Sequence, residues 1–322
     1  MALDPRRNTG LLSVIWGMIR DTTTPRQVSV DGDGNVHTDM VDRVERVLGE
    51  AAIRNIDESG VAYGIKHIGN KPRVSSMPYL YDIAEGNVSD HERFGAFAER
   101  AAVVVAGADI WGGVANTIPR PVDAGEQLEI ISTSANDDGA PVGTGIRTVG
   151  IHYLDATGAA QDEIVTLNGL APVALAESNV RFVNELHAVT VGAAGVAAGN
   201  ITLYKQGTPA TVYSRIALGQ NVGLNSSKMI PLNKQFYLTQ WGCTSAGGKN
   251  TAVRLRITSR HGVLYPGVFM TRDSAFLIDA VYVRSFDVPI KIPALSILKV
   301  FADPVLAGAY VSASWGGWLE CC

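Results

Sequence analysis

The chain has 322 residues, 46% of them hydrophobic and 18% charged, which places it among globular proteins with material for a core and outside the disordered class. Its 31 acidic and 27 basic side chains nearly cancel and form no long runs of one sign, which argues against a dedicated nucleic-acid surface and for protein partners. Low charge with positive mean hydropathy suits a subunit whose apolar surface is covered by neighbours better than it suits a free monomer.

Residues 11–19 (LLSVIWGMI) follow Arg6 and Arg7, as in a secretory leader, but Arg20, Asp21 and threonines stand where small cleavage-site residues are needed. The segment is too short to span a bilayer and is expected as a buried helix or strand of a soluble, unprocessed chain. Residues 27–38 alternate around Asp31-Gly32-Asp33-Gly34, a hairpin signature. Met40, Val41, Val44, Val47, Leu48, Ala51 and Ala52 then recur at helical spacing, and Thr38 or Asp39 can cap the helix start.

Residues 61–121 read as an irregular connector, within which 96–108 (AFAERAAVVVAGA) fit a short helix or a buried strand equally well. Strand-like segments separated by turn residues follow at 127–134, 147–153, 162–167, 172–175, 181–191, 200–205, 211–218, 235–240 and 252–259. Asp155-Ala156-Thr157-Gly158 and Asn168-Gly169 supply tight turns between them. Beyond His261, residues 264–270, 280–286, 289–301 and 309–318 continue the β texture, with Pro266, Pro289, Pro293 and Pro304 restricting strands to edges or breaking them. The sequence therefore predicts a mainly β protein, an antiparallel jelly-roll-like β-sandwich over 122–260. A hairpin-and-helix docking segment over 1–60 precedes it, and a β extension over 261–322 follows it.

Residues 108–257 resemble a β-rich domain of virion structural proteins from tailed bacteriophages. The resemblance rests on Asp109-Ile110-Trp111-Gly112-Gly113, residues 129–137 (EIISTSAND), 143–149 (GTGIRTV), Tyr153-Leu154-Asp155, 163–169 (EIVTLNG) with Pro172-Val173, Asn200-Ile201-Thr202-Leu203 and Met229-Ile230-Pro231. Upstream residues 81–88 (YDIAEGNV) fit the same pattern. It covers somewhat under half of the chain well and carries no catalytic residues across. It implies a virion part made in the host cytoplasm, a tail-fibre or neck-attached fibre component, with a capsid decoration protein as the nearest alternative. The implied partners are copies of the chain itself, a trimer being one arrangement, and other proteins of the tail, neck or capsid, without membrane insertion.

The residues themselves offer little enzyme chemistry. Asp31, Asp33 and Asn35 begin like a calcium loop, but Val36 stands in place of the turn glycine and Asp42 in place of the bidentate glutamate, so a plain turn is expected. Residues 134–138 (SANDD) have oxygens for a cation but read as a surface loop. The histidines, His37, His67, His91, His152, His187 and His261, are far apart and predict no zinc site, and His152 falls on the polar face of its strand. Gly143-Thr144-Gly145 reads as a turn, and Asp162 and Glu163, adjacent on a strand, face opposite ways. Cys243, Cys321 and Cys322 form no disulfide framework. No catalytic, cofactor-binding or metal residue is assigned. Trp315 and Trp318, with Tyr310 and Trp111, are the expected subunit contacts, because exposed tryptophans are costly in a monomer. A host-glycan-binding or depolymerising spike, which would need exposed aromatics or carboxylates clustered in a groove, is the reading from a different class.

Overall fold

The computed structural model describes residues 66–67, 72–73, 79–258 and 268–321. The expected hairpin at 27–38, the helix after it and the apolar stretch 11–19 lie outside the described residues. The chain divides into two units, Met1–Met77 and Pro78–Cys322. In the first, β1 (Lys66–His67) pairs antiparallel with β2 (Pro72–Arg73).

The second unit begins with a short helix, α1 (Tyr79–Ala84), followed by β3 (His91–Val103) and β4 (Ala108–Asp109). The middle of the chain supplies β5 (Leu128–Ser132), β6 (Ile146–Asp155), β7 (Ala160–Thr166), β8 (Val173–Ala174), β9 (Val180–Val191), β10 (Ile201–Lys205) and β11 (Thr208–Ile216). The last third supplies β12 (Lys228–Met229), β13 (Lys234–Ala246), β14 (Thr251–Thr258), β15 (Phe269–Leu277), β16 (Val281–Ile292), β17 (Ile297–Pro304) and β18 (Ala309–Cys321). The protein is mainly β, as the alternation predicts, and the strand pairs are antiparallel.

These strands sort into four larger sheets, ordered β11-β10-β5-β8, β7-β6-β9, β16-β13-β18-β3 and β12-β17-β14-β15, with β4 also paired to β17. The first two share one apolar core, built from Leu128, Ile130, Ile151, Val183, Leu186, Ile201 and Leu203 among others. The other two share a second core, built from Phe236, Leu238, Trp241, Leu255, Val300, Val311 and Trp315 among others. A small third cluster, Leu154, Phe182, Met229, Leu295 and Ile297, joins residues of both halves.

This sorting departs from a central β-sandwich ending near residue 260. β13 and β14 belong with the C-terminal strands: β14 lies between β15 and β17, and β13 between β16 and β18. The reason is burial, since the inward residues of β13 and β14 match the apolar faces of β17 and β18. Of the ambiguous stretch 96–108, the residues up to Val103 are strand, because β3 runs alongside β18 for nearly its whole length, with Ala98 opposite Ala313, and a turn then leads to β4. Thus the expected connector contains an edge strand of a main sheet. Pro289 sits where β16 bulges away from β13, between Ser285 opposite Gln240 and Ile290 opposite Leu238, so its missing N–H costs no ladder bond.

Buried carboxylates hold the loops. Asp137, fully buried, accepts hydrogen bonds from the Ser132 hydroxyl (2.6 Å) and from the backbone N–H groups of Ile146 (2.9 Å), Ala198 (2.9 Å) and Gly199 (2.8 Å). It ties the end of β5 to the start of β6 and to the turn before β10. Gly145 is required beside it, because a Cβ there would lie 2.1 Å from Asp137 Oδ1. In the 134–138 loop both Asp137 oxygens are thus engaged with protein donors, and Asp138 Oδ1 accepts the N–H of Ala140 (2.8 Å). Asp109 is likewise buried, with Lys299 Nζ 2.8 Å from Oδ1 and 3.0 Å from Oδ2, joining β4 to β17. In unfolding titrations, Asp137→Ala should lower stability by about 3 kcal/mol or more, because three backbone donors are left without an acceptor. A loss below about 1 kcal/mol would show that the loops are held by something else.

Candidate functional site

Between the two halves of the second unit lies a cleft of about 1140 Å³. One wall comes from β6, β7 and β9 with His152, Asp162, Asn184 and Glu185, and the other from β3, β13 and β18. The floor is stitched by Asn184, whose side-chain amide donates to Met229 O (3.0 Å) while its carbonyl accepts from Met229 N (2.8 Å).

Strand register assembles the polar cluster in this cleft. His152 on β6 stands opposite Asp162 on β7 and opposite Glu185 on β9, so the three side chains form a row across one sheet face. His187, two residues beyond Glu185, falls on the same face, opposite Gly150. A Cβ at Gly150 would come within 2.6 Å of His187 Nε2, so glycine is what lets that ring lie across β6. The His152 and His187 rings stack, with centroids 5.0 Å apart and planes 20° apart.

Several polar atoms of the row have defined neighbours. His152 Nδ1 hydrogen-bonds the Asp162 carboxylate. Glu185 Oε2 accepts from Lys228 Nζ (3.0 Å), whose side chain is only 11% exposed and lies 5.2 Å from the Phe94 ring centroid. Glu185 Oε1 is 3.6 Å from His187 Nδ1, a buried nitrogen that makes no hydrogen bond. Burial works against ionisation of Glu185, but the Lys228 ammonium, its hydrogen bond and the two imidazoles outweigh it and hold this carboxyl below the usual glutamate range. Burial, with Glu163, Glu177, Asp155 and Asp162 adding to it, pushes the neighbouring Tyr153 phenol up to about 12, so it stays protonated at neutral pH.

Of the expected contact residues, Trp315 and Trp318 stand on the opposite wall of the cleft and Trp111 and Tyr310 lie outside it, and the tryptophans are buried. Trp111 is 1% exposed, Trp315 3% and Trp318 7%, so the exposure on which their role as subunit contacts rested is missing. Their burial has a reason in hydrogen bonding and stacking: Trp111 Nε1 donates to Ala115 O (2.8 Å), Trp315 Nε1 to Ser226 O (2.9 Å), and Trp318 stacks on Tyr237. Tyr310, half-buried, donates to Glu99 across the β3–β18 pair. The sequence also separated His152 from His187, which the β6–β9 pairing brings together. A signal was present in Glu185 and His187, two residues apart on one strand and therefore on one face.

No protein-family model matches the chain, and no curated protein matches it. Among solved structures, a mutant VP2 protein of infectious bursal disease virus in derived T=1 particles is similar at 8% sequence identity, over 77% of this chain and 84% of that one. Its TM-score of 0.13 is too low to carry an argument. Among the described residues no helix is long and apolar enough to cross a membrane.

The Glu185–Lys228 pair sets a pH dependence. Because the folded-state pKa of Glu185 is depressed, its stabilising contribution is complete above the ordinary glutamate value and is lost as pH falls through the lower folded value. The stability gap between the native chain and Lys228→Met should accordingly be widest near neutral pH and narrow in acid, read from denaturation midpoints across pH. A gap independent of pH would refute the pairing.

Proposed function

We propose that the protein is a non-enzymatic structural component of a tailed-bacteriophage virion that assembles through contacts between copies of itself. A tail-fibre or neck-attached fibre component is the first placement, and a capsid decoration protein the second. In this reading each core-sharing pair of sheets is a sandwich of jelly-roll type, the chain is made in the host cytoplasm, and its partners are sister chains and neighbouring virion proteins. The motifs that carry the family resemblance support a structural role, because their residues serve packing: Asp109 pairs with Lys299, Trp111 fills a core edge, and Asp137 with Gly145 locks loops.

The observation that carries self-assembly is the apolar flank at β15 and β16. These consecutive strands are the edges of the two sheets of one core, and among the described residues each pairs on one side only. Phe276 is 81% exposed and Val283 69%, with Met270, Ile278, Val281 and Val288 also exposed. Apolar side chains of this size on unpaired edges invite coverage, by edge pairing or by face packing. A sister chain is the simplest occupant, since a symmetric contact needs only this one surface.

A second reading, glycan binding, draws on the cleft, where His152, Asp162 and Glu185 line one wall of a groove large enough for a sugar. Trp241, Trp315 and Trp318 reach the other wall of that groove but are at most 7% exposed, which leaves little aromatic face for a sugar to stack on.

Sedimentation of the purified full chain distinguishes the two. The native chain should run as an oligomer, and Phe276→Glu combined with Val283→Glu should dissociate it without lowering the thermal midpoint, because both side chains face outward. A native chain that stays monomeric at high concentration and is retained on immobilised host polysaccharide would replace the assembly reading with the glycan one.

A further inference from the structure

We propose that His152, Glu185 and His187 form a binding site for a divalent transition-metal ion, zinc by its ligand set, with one coordination position open to the cleft. One ligand atom from each residue lies within 4.8 Å of the others, close enough for side-chain rotation to bring all three onto one ion. Two imidazoles and one carboxylate suit a borderline-soft cation such as zinc and do not suit calcium or magnesium, which take oxygen ligands.

Three further features point the same way. The His152 Nδ1–Asp162 hydrogen bond is the carboxylate–histidine arrangement that fixes a ligating imidazole, leaving Nε2 for the metal. His187 Nδ1 is buried and makes no hydrogen bond, although Glu185 Oε1 lies only 3.6 Å away, which is the condition of a ligand nitrogen whose partner is the ion itself. Lys228 occupies Glu185 Oε2 and so leaves Oε1 for coordination. The β6–β9 ladder supplies the rigidity, since all three ligands stand on paired strands and none on a loop. His152 and Glu185 line the cleft, so the fourth position opens on that side, where water or an oxygen of a bound partner completes a tetrahedron. This assignment does not rest on the assembly reading.

The test is a calorimetric titration of the purified, chelator-treated full chain with zinc chloride alone. One ion per chain is expected, with affinity lowered at least about tenfold by His187→Gln and by Glu185→Gln and unchanged by His91→Gln, which lies outside the cluster. Asp162→Asn, altering only the orienting group, should weaken binding less than either ligand substitution. Absence of saturable binding, or binding that survives both ligand substitutions, overturns the site. Should those variants misfold by circular dichroism, cobalt(II) is added to the native chain: an intense visible spectrum of a four-coordinate ion supports the assignment, and the pale spectrum of the hydrated ion overturns it.

Discussion

The architecture depends on the pairing of β3 with β18. A sheet of order β16-β13-β18-β3 is complete only when a strand that opens the second unit lies against the last strand of the chain. After β3 the chain leaves this sheet and returns to it only at β13, and the strands β5 to β11 in between build their own core. The cleft is the gap left where those two cores meet, with β3 and β18 on one side and β6, β7 and β9 on the other. Contacts this distant in sequence are costly in loop-closure entropy until both partners are formed, which makes the C-terminal strand essential to the fold.

Charges buried at loop junctions then fix what the cores alone would leave loose. Apolar packing is non-directional, whereas Asp137 accepts four donors from three places in the chain and therefore specifies one arrangement of those loops. Asp273, half-buried within β15, ties that strand to β13 and β16, accepting from Trp241 Nε1 (2.9 Å) and Arg284 (2.9 Å). Burial opposes its ionisation, but these donors hold its carboxyl below the usual aspartate range. Cys243, nearby in the same core as Trp241, is pushed up to about 12 by burial and by Asp273, so it remains a thiol and behaves as a small apolar side chain. Removing any one partner of such a group leaves the other buried and unsatisfied, which is why single positions can matter so much in a chain with few charges.

Surface and interior are divided in a way that bears on function. Trp111, Trp241 and Trp315, carrying both large apolar area and a donor N–H, go where a backbone or side-chain acceptor waits for them. Valines and a phenylalanine, with no polar atom to satisfy, remain outside at β15 and β16. In the cleft, the polar row on β6, β7 and β9 is built by register alone, on a sheet whose other face is core. A structural reading of the whole and a metal-binding reading of the row are compatible, because an ion on paired strands can stiffen a joint without performing a reaction.

Alternation and turn residues made most strands readable: β5, β6, β7, β9, β10 and β11 lie where the hydrophobic period of two puts them, and Asp155 to Gly158 turns as its chemistry requires. The proline positions also announced an edge and a break, at Pro289 and after Ile292. The partner of each strand could not be read, because an apolar alternating segment is equally complementary to many others. Only the three-dimensional chain sorted β13 and β14 with β15 to β18, decided that residues 96–103 extend instead of coiling, and buried Trp111, Trp315 and Trp318. His152, Glu185 and His187 became a cluster for the same reason. Local sequence sets which face a side chain takes, whereas the identity of its neighbour across the sheet is fixed only when distant apolar surfaces close on one another and register follows.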